Sequence, residues 1–158
     1  MDDEFNEFAI EQINTVDTLL FGRVTYELMA GYWPTPAAKT DDPVIAEIMN
    51  TTPKIVFSKT LTSVDWQNTR LIKDNFLEEM LKLKQQPGQD VLVAGSGTLV
   101  QTLIEHNLVD EYHLLIYPVV LGSGKRLFQD GSNATLKLVE SKTFNSGVIA
   151  QIYQPDRK

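Results

Sequence analysis

Three short stretches combine glycine, hydroxyl and basic residues in ways that suit phosphate. Gly95-Ser96-Gly97 follows the apolar run Asp90-Val91-Leu92-Val93-Ala94 and precedes a helical segment. Glycines there let the backbone approach a ligand, and the free N–H groups of a helix start attract an anion. The dinucleotide fingerprint needs a third glycine where this chain has Val100, so a plain tight turn explains the residues equally well. Gly22-Arg23-Val24-Thr25 is a second strand end feeding a helix. Thr25 and the neighbouring N–H groups suit a phosphate and Arg23 suits its charge, although a capped helix with a surface arginine is the commoner use of such residues. The third stretch is Ser58-Lys59, a hydroxyl and an ammonium past the end of Lys54-Ile55-Val56-Phe57. That pair fits a ribose 2′-phosphate, and a solvated loop is the ordinary alternative. Together, three strand ends with this chemistry are what an extended, multiply phosphorylated ligand requires.

Other chemistries are excluded by what is missing. A serine-hydrolase elbow needs G-x-S-x-G, and Ala94 stands just before Gly95. A P-loop at Gly124-Lys125-Arg126 lacks both the Ser or Thr after the lysine and the first glycine, replaced by Val119. The chain has no cysteine, and its histidines are His106 and His113 with no metal-binding spacing, so no metal site is expected. With 14 basic and 21 acidic residues the net charge is −7, which argues against nucleic acid as a partner. No apolar run approaches a membrane span, and the acidic start Asp2-Asp3-Glu4 is unlike a signal peptide. A cytoplasmic protein without a membrane partner is the simplest expectation.

The elements that must position these residues follow from periodicity. Phe5, Phe8, Ala9, Ile13 and Val16 predict a helix over 2–15, followed by the short strand Leu19-Leu20-Phe21. A helix is expected from Arg23 to Ala30, a loop over 34–41, and a short helix capped by Asp42 with Pro43 in its first turn. Strands are expected at 54–58, 69–72 and 90–94, with a helix over 75–86 and another carrying Leu99, Val100, Leu103 and Ile104. Long strands over 112–120, 136–144 and 148–153 close the chain, the last two joined by a hairpin at Asn145-Ser146-Gly147. Strand–helix alternation followed by antiparallel strands predicts one α/β domain over 1–158, three-layered, with a mixed, mostly parallel sheet.

The stretches T-L-L-F-G-R-V-T-Y-E, I-V-F-S-K-T-L, V-L-V-A-G-S-G-T-L-V and D-E-Y-H-L-L-I-Y-P-V-V-L-G-S-G-K-R-L-F resemble the dihydrofolate reductase superfamily. They are most similar to its branch related to the reductase domain of the riboflavin-biosynthesis deaminase–reductase. The resemblance implies NADPH lying across the carboxyl edge of the sheet. Gly22, Arg23 and Thr25 would contact its phosphates, Ser58 and Lys59 its 2′-phosphate, and Gly95, Ser96, Gly97, Thr98 and Leu99 its pyrophosphate and nicotinamide end. Members of this family usually begin with a further, central strand and a loop carrying an Asp-Gly turn, whereas this chain opens almost directly on its first helix. Two strands are therefore expected to lack a neighbour.

The activity so implied is hydride transfer from NADPH to a small heterocycle, as in reduction of 5-amino-6-(5-phosphoribosylamino)uracil. A dihydrofolate reductase-like reaction on a pterin and a non-catalytic nucleotide-binding domain are the alternatives. No proton donor stands out: Asp2, Asp3 and Glu7 on the first helix are the acids considered, although acids commonly occupy a first helical turn. Tyr26 and Trp33 are placed to flank a substrate or to pack. Lys125 and Arg126 would draw a phosphorylated substrate or simply be solvated. The resemblance also implies a homodimer, with the apolar segments 114–116 and 119–121 supplying part of the interface.

Overall fold

The structure is a computed structural model that describes residues 3–86, 90–95, 97–128 and 134–156. Its elements in chain order are α1 (Asp3–Asn14), β1 (Thr18–Gly22), α2 (Arg23–Ala30), α3 (Pro36–Asp41), α4 (Pro43–Thr51), β2 (Lys54–Phe57), β3 (Thr69–Ile72), α5 (Phe76–Gln85), β4 (Val91–Gly95), α6 (Gly97–Glu105), β5 (Tyr112–Ile116), β6 (Leu136–Thr143) and β7 (Ile149–Pro155). They form two compact units, one of Phe8–Leu99 and one of Met1–Glu7 with Val100–Lys158.

In the unit 8–99 a four-stranded sheet runs in the order β3-β2-β1-β4, and every pairing is parallel. Parallel strands covered on both faces read as unbroken apolar runs, and β1, T-L-L-F-G, is buried at every position. Leu19, Phe21, Tyr26, Met49, Val56 and Trp66 form the core cluster, with Phe21 stacked on Trp66 at 6.1 Å between ring centres. Helix α5 buries Phe76, Met80 and Leu83 and carries Glu78 and Glu79 in its first turn and Lys82 and Lys84 in its last, matching the helix dipole at both ends.

Two local expectations change. The segment expected as a loop over 34–41 contains α3, because Thr35 caps it by accepting from the Ala38 N–H and Pro36 occupies its first turn. Asp42 precedes α4 as expected but makes no side-chain cap bond; its carboxylate instead accepts the Tyr32 hydroxyl at 3.2 Å.

The second unit holds a three-stranded antiparallel sheet in the order β5-β7-β6. Its hairpin turns at Gly147, whose φ of 92° and whose contact with Pro118 both disfavour a side chain. Strand β5 stops at Ile116 rather than reaching 120. Pro118 offers no N–H to a ladder, and the Val119 N–H closes a tight turn on the Tyr117 carbonyl at 2.8 Å. The fold class is therefore α/β, with the parallel and antiparallel parts standing as separate sheets rather than one mixed sheet. Among the described residues β4 pairs only with β1, and β5 only with β7. No helix among them is long and apolar enough to cross a membrane.

Candidate functional site

Strand order brings the three phosphate-type stretches to one edge. Gly22 pairs with Phe57 in the parallel register of β1 and β2, and Phe21 pairs with Gly95 across β1 and β4. The ends of β2, β1 and β4 are thus neighbours, so Ser58, Arg23 and the start of α6 lie along the carboxyl edge. At a strand spacing of about 4.8 Å, that edge spans roughly 10 Å. In such sheets ligands bind at this edge.

At the middle position Gly22 precedes α2 in extended conformation and gives it no side-chain cap, and the first turn carries no acid. The N–H groups there leave the positive end of the helix dipole open to an anion. Arg23 is exposed, and its Nη1 donates to both oxygens of Glu27 at 3.1 and 3.3 Å. An exposed pair of that kind is worth little and gives way readily to a phosphate. Thr25 is half-buried on the same turn.

At the β2 end, Ser58 is buried and its hydroxyl is committed inside the loop. Its Oγ accepts the N–H of Thr60 at 3.2 Å and of Leu61 at 3.1 Å, and lies 3.2 Å from the Thr60 hydroxyl. The serine thus builds the turn, and Lys59 is left exposed on it.

At the β4 end the register skips Ala94, which makes a bulge where the chain leaves the sheet for α6. Bulges of this kind re-aim a strand end beside a site. Ser96 lies outside the described residues, as do the side-chain surroundings of Thr98, while the backbone of Gly97 and Thr98 opens α6. Leu99 is buried.

Tyr26 and Trp33 both make hydrogen bonds within the unit 8–99. Tyr26 is buried beside Trp66, and its hydroxyl accepts the N–H groups of Asp65 and Trp66 at 3.2 and 3.3 Å. Trp33 donates its ring N–H to the Met29 sulfur and its carbonyl receives Asn50. Of the acids considered as proton donors, Asp2 lies outside the described residues, Asp3 opens α1, and Glu7 is exposed on α1. Lys125 and Arg126 are exposed in the other unit. Among the described residues no cluster of His, Cys, Asp or Glu has a metal-binding arrangement.

One set of groups had no counterpart in the sequence reading. Lys54 is almost wholly buried, and its ammonium donates to the carbonyls of Met49, Asn50 and Thr52 at 2.8, 3.1 and 2.9 Å. It also sits 4.4 Å from the centre of the Trp66 ring. Burial pulls its pKa down to about 8, while the carbonyls at the end of α4 and the ring face favour its charged form. Asn50 joins the same network, accepting the Trp66 ring N–H at 2.7 Å. A hollow of ≈ 400 Å³ beside Lys54 is lined by Thr18, Asn68, Arg70 and Gln86, at the amino end of the strands and so opposite the phosphate-type edge. No sequence pattern marked this network, since lysine at a strand start reads as solvated.

A parallel sheet with hydroxyl, basic and helix-start residues along its carboxyl edge defines the class of protein as α/β, with the edge where such sheets bind ligands. Residues 1–150 match the RibD C-terminal domain family, and the chain belongs to that family. That membership agrees with the resemblance of its motifs to the riboflavin branch of the dihydrofolate reductase superfamily. The uncharacterised protein YyaP of Bacillus subtilis is 40% identical over 142 residues, covering 89% of this chain and 75% of that protein. The uncharacterised protein YwjB of Bacillus subtilis is 31% identical to this chain over 135 residues, covering 85% of this chain and 71% of that protein. Among solved structures, a Shewanella sp. PV-4 protein assigned to riboflavin biosynthesis matches with a TM-score of 0.73 at 23% identity, covering 99% of this chain and 81% of its own. A pyrimidine reductase-like protein of Corynebacterium diphtheriae matches at 0.63 and 15% identity, covering 100% and 83%. RibD of Acinetobacter baumannii matches at 0.67 and 12% identity, covering 98% of this chain and 51% of that one. At those identities the structures speak to the fold alone.

Proposed function

We propose that the chain is an NADPH-dependent reductase that delivers hydride to a small heterocycle of the aminopyrimidine class, like the riboflavin-pathway 5-amino-6-(5-phosphoribosylamino)uracil reductase. The observation that carries this reading is the adjacency of three phosphate-type strand ends along one edge, set by the β2-β1-β4 order and register. The donor set fits the cofactor. The open start of α2 with Arg23 and Thr25, and the start of α6 with Gly95 to Leu99, suit the pyrophosphate and nicotinamide end. Lys59, on the turn that Ser58 builds, supplies a cation for the 2′-phosphate. When bound, the cofactor supplies the hydride; the chain binds, orients and keeps water from the reacting carbon. The name of the C. diphtheriae protein, pyrimidine reductase-like, is in keeping with a pyrimidine class of substrate.

We also propose that the chain acts as a homodimer. From Leu114 to Gly124 it carries no charge, in a chain of net charge −7, and Val120 and Leu121 are 98% and 78% exposed. Two acidic copies meet with least repulsion where neither is charged, and burying such a patch is favourable.

Thermal-shift titration tests the cofactor. NADPH at about 100 times its Kd should stabilise by about 2.7 kcal/mol, with NADH at the same concentration giving a smaller shift. Lys59→Ala should remove the difference. Equal or absent shifts with the wild type would sink the reading, and NADPH binding without turnover of any aminopyrimidine or pterin would leave a non-catalytic binding domain.

A further inference from the structure

The connection 58–68 between β2 and β3 carries Lys59 but has no helix or strand of its own. A stretch of this length holds one shape only if its ends are tied. One tie is local, the Ser58 hydroxyl accepting the Thr60 and Leu61 N–H groups. The other crosses to a different element, because the hydroxyl of Tyr26 on α2 accepts both the Asp65 and the Trp66 N–H. Trp66 is buried between these bonds, against Phe21 and Tyr26, with its ring N–H on Asn50. Leu61 and Val64 pack on the same core. Between the ties Lys59 and Thr60 are exposed.

Tyr26 lies one turn after Arg23 on the same helix. Its buried ring packs α2 on the core, and its hydroxyl fixes the far end of the connection that begins with Ser58 and Lys59. One side chain thus ties that connection to the helix that starts at Arg23. We infer that Tyr26 is a positioning residue for cofactor discrimination, holding the Lys59 turn at a set distance from the start of α2. The inference rests on the NADPH reading above and deepens it. NADPH and NADH differ only in the 2′-phosphate, so a change in that distance alters binding of the first and spares the pyrophosphate contacts common to both.

Tyr26→Phe keeps the ring and removes the two hydrogen bonds. Dissociation constants for NADPH and NADH, measured by fluorescence titration of the intact chain, give the outcome. The expected result is an unchanged Kd for NADH and a Kd for NADPH raised about five-fold, the size expected for loss of hydrogen bonds that position a partner. A purely structural tyrosine would weaken both cofactors together or neither, and either outcome overturns the inference. Should Tyr26→Phe fail to fold, Trp66→Phe frees the same end of the connection from Asn50 and must lower the NADPH preference in the same way; an unchanged preference there overturns it equally. A wild type that binds neither cofactor, or both alike, refutes the NADPH reading itself, which separates that failure from this one.

Discussion

Strands β1 and β6 mark the contrast between the two units. β1 is buried at all of its positions, whereas β6 is exposed at seven of its eight. A parallel sheet is covered on both faces, so its strand ends are held by a packed interior. Residues at those ends inherit that rigidity, as Gly22 and Ser58 do, both of them buried. The antiparallel unit keeps its backbone bonds in β5-β7-β6 but leaves Leu115, Ile116, Tyr117, Val119, Val120 and Leu121 exposed. The two units thus differ in how much of their strand surface is covered. β4 is intermediate: V-L-V-A-G reads as a strand flanked on both sides, yet it is half-buried and pairs only with β1 among the described residues.

The strongest test of that contrast is to remove the centre of the buried unit. Trp66 stacks on Phe21, donates to Asn50 and lies under the Lys54 ammonium. Trp66→Ala should lose about 3–5 kcal/mol of unfolding free energy in urea, as large core truncations do. A loss below about 1 kcal/mol would mean that the interior of 8–99 is no more binding than the exposed unit.

Lys54 tests the same interior by pH. In the folded chain its proton leaves near pH 8, and in the unfolded chain near the ordinary value of 10.5. Between those values the unfolded state holds more protons, so stability rises with pH. The slope reaches at most about 1.4 kcal/mol per pH unit. Lys54→Met lacks this term, so the wild type should gain on the variant as pH rises from about 8 towards 10.5, with a constant difference below 8. Urea unfolding of both proteins at a series of pH values measures it, and parallel curves throughout would show that Lys54 keeps an ordinary pKa.

How much was legible follows from locality. The apolar runs of β1, β2 and β4 and the amphipathic α2 and α5 are properties of short segments, and the sequence reading located all five. The start of α3 was written there too, in Thr35 followed by Pro36, but the neighbouring prolines made the segment look like a loop. At the site the residue types were visible, while their adjacency came only with the order β2-β1-β4, which depends on pairings remote in sequence. At Ser58 the residue type was visible, while the turn that its Oγ builds by accepting the Thr60 and Leu61 N–H groups was not. The Lys54 cage was illegible because its acceptors exist only where α4 ends and its carbonyls lack helical partners. The Ala94 bulge likewise exists only in the register between β1 and β4.

The smallest effect on stability, and the sharpest test of the exposed unit, belongs to Val120. Its side chain is 98% exposed, so Val120→Asp removes almost no intramolecular contact. Unfolding free energy should change by no more than about 0.5 kcal/mol. Self-association should change greatly, because each copy would bring a new negative charge into an apolar contact that excludes water. Light scattering coupled to gel filtration should show a dimer for the wild type and a monomer for the variant at the same concentration. A monomeric wild type would refute the homodimer, and a variant that stays dimeric would move the interface away from 114–124. A variant that loses as much stability as Trp66→Ala would erase the contrast between the units, since its effect would then come from packing inside the chain.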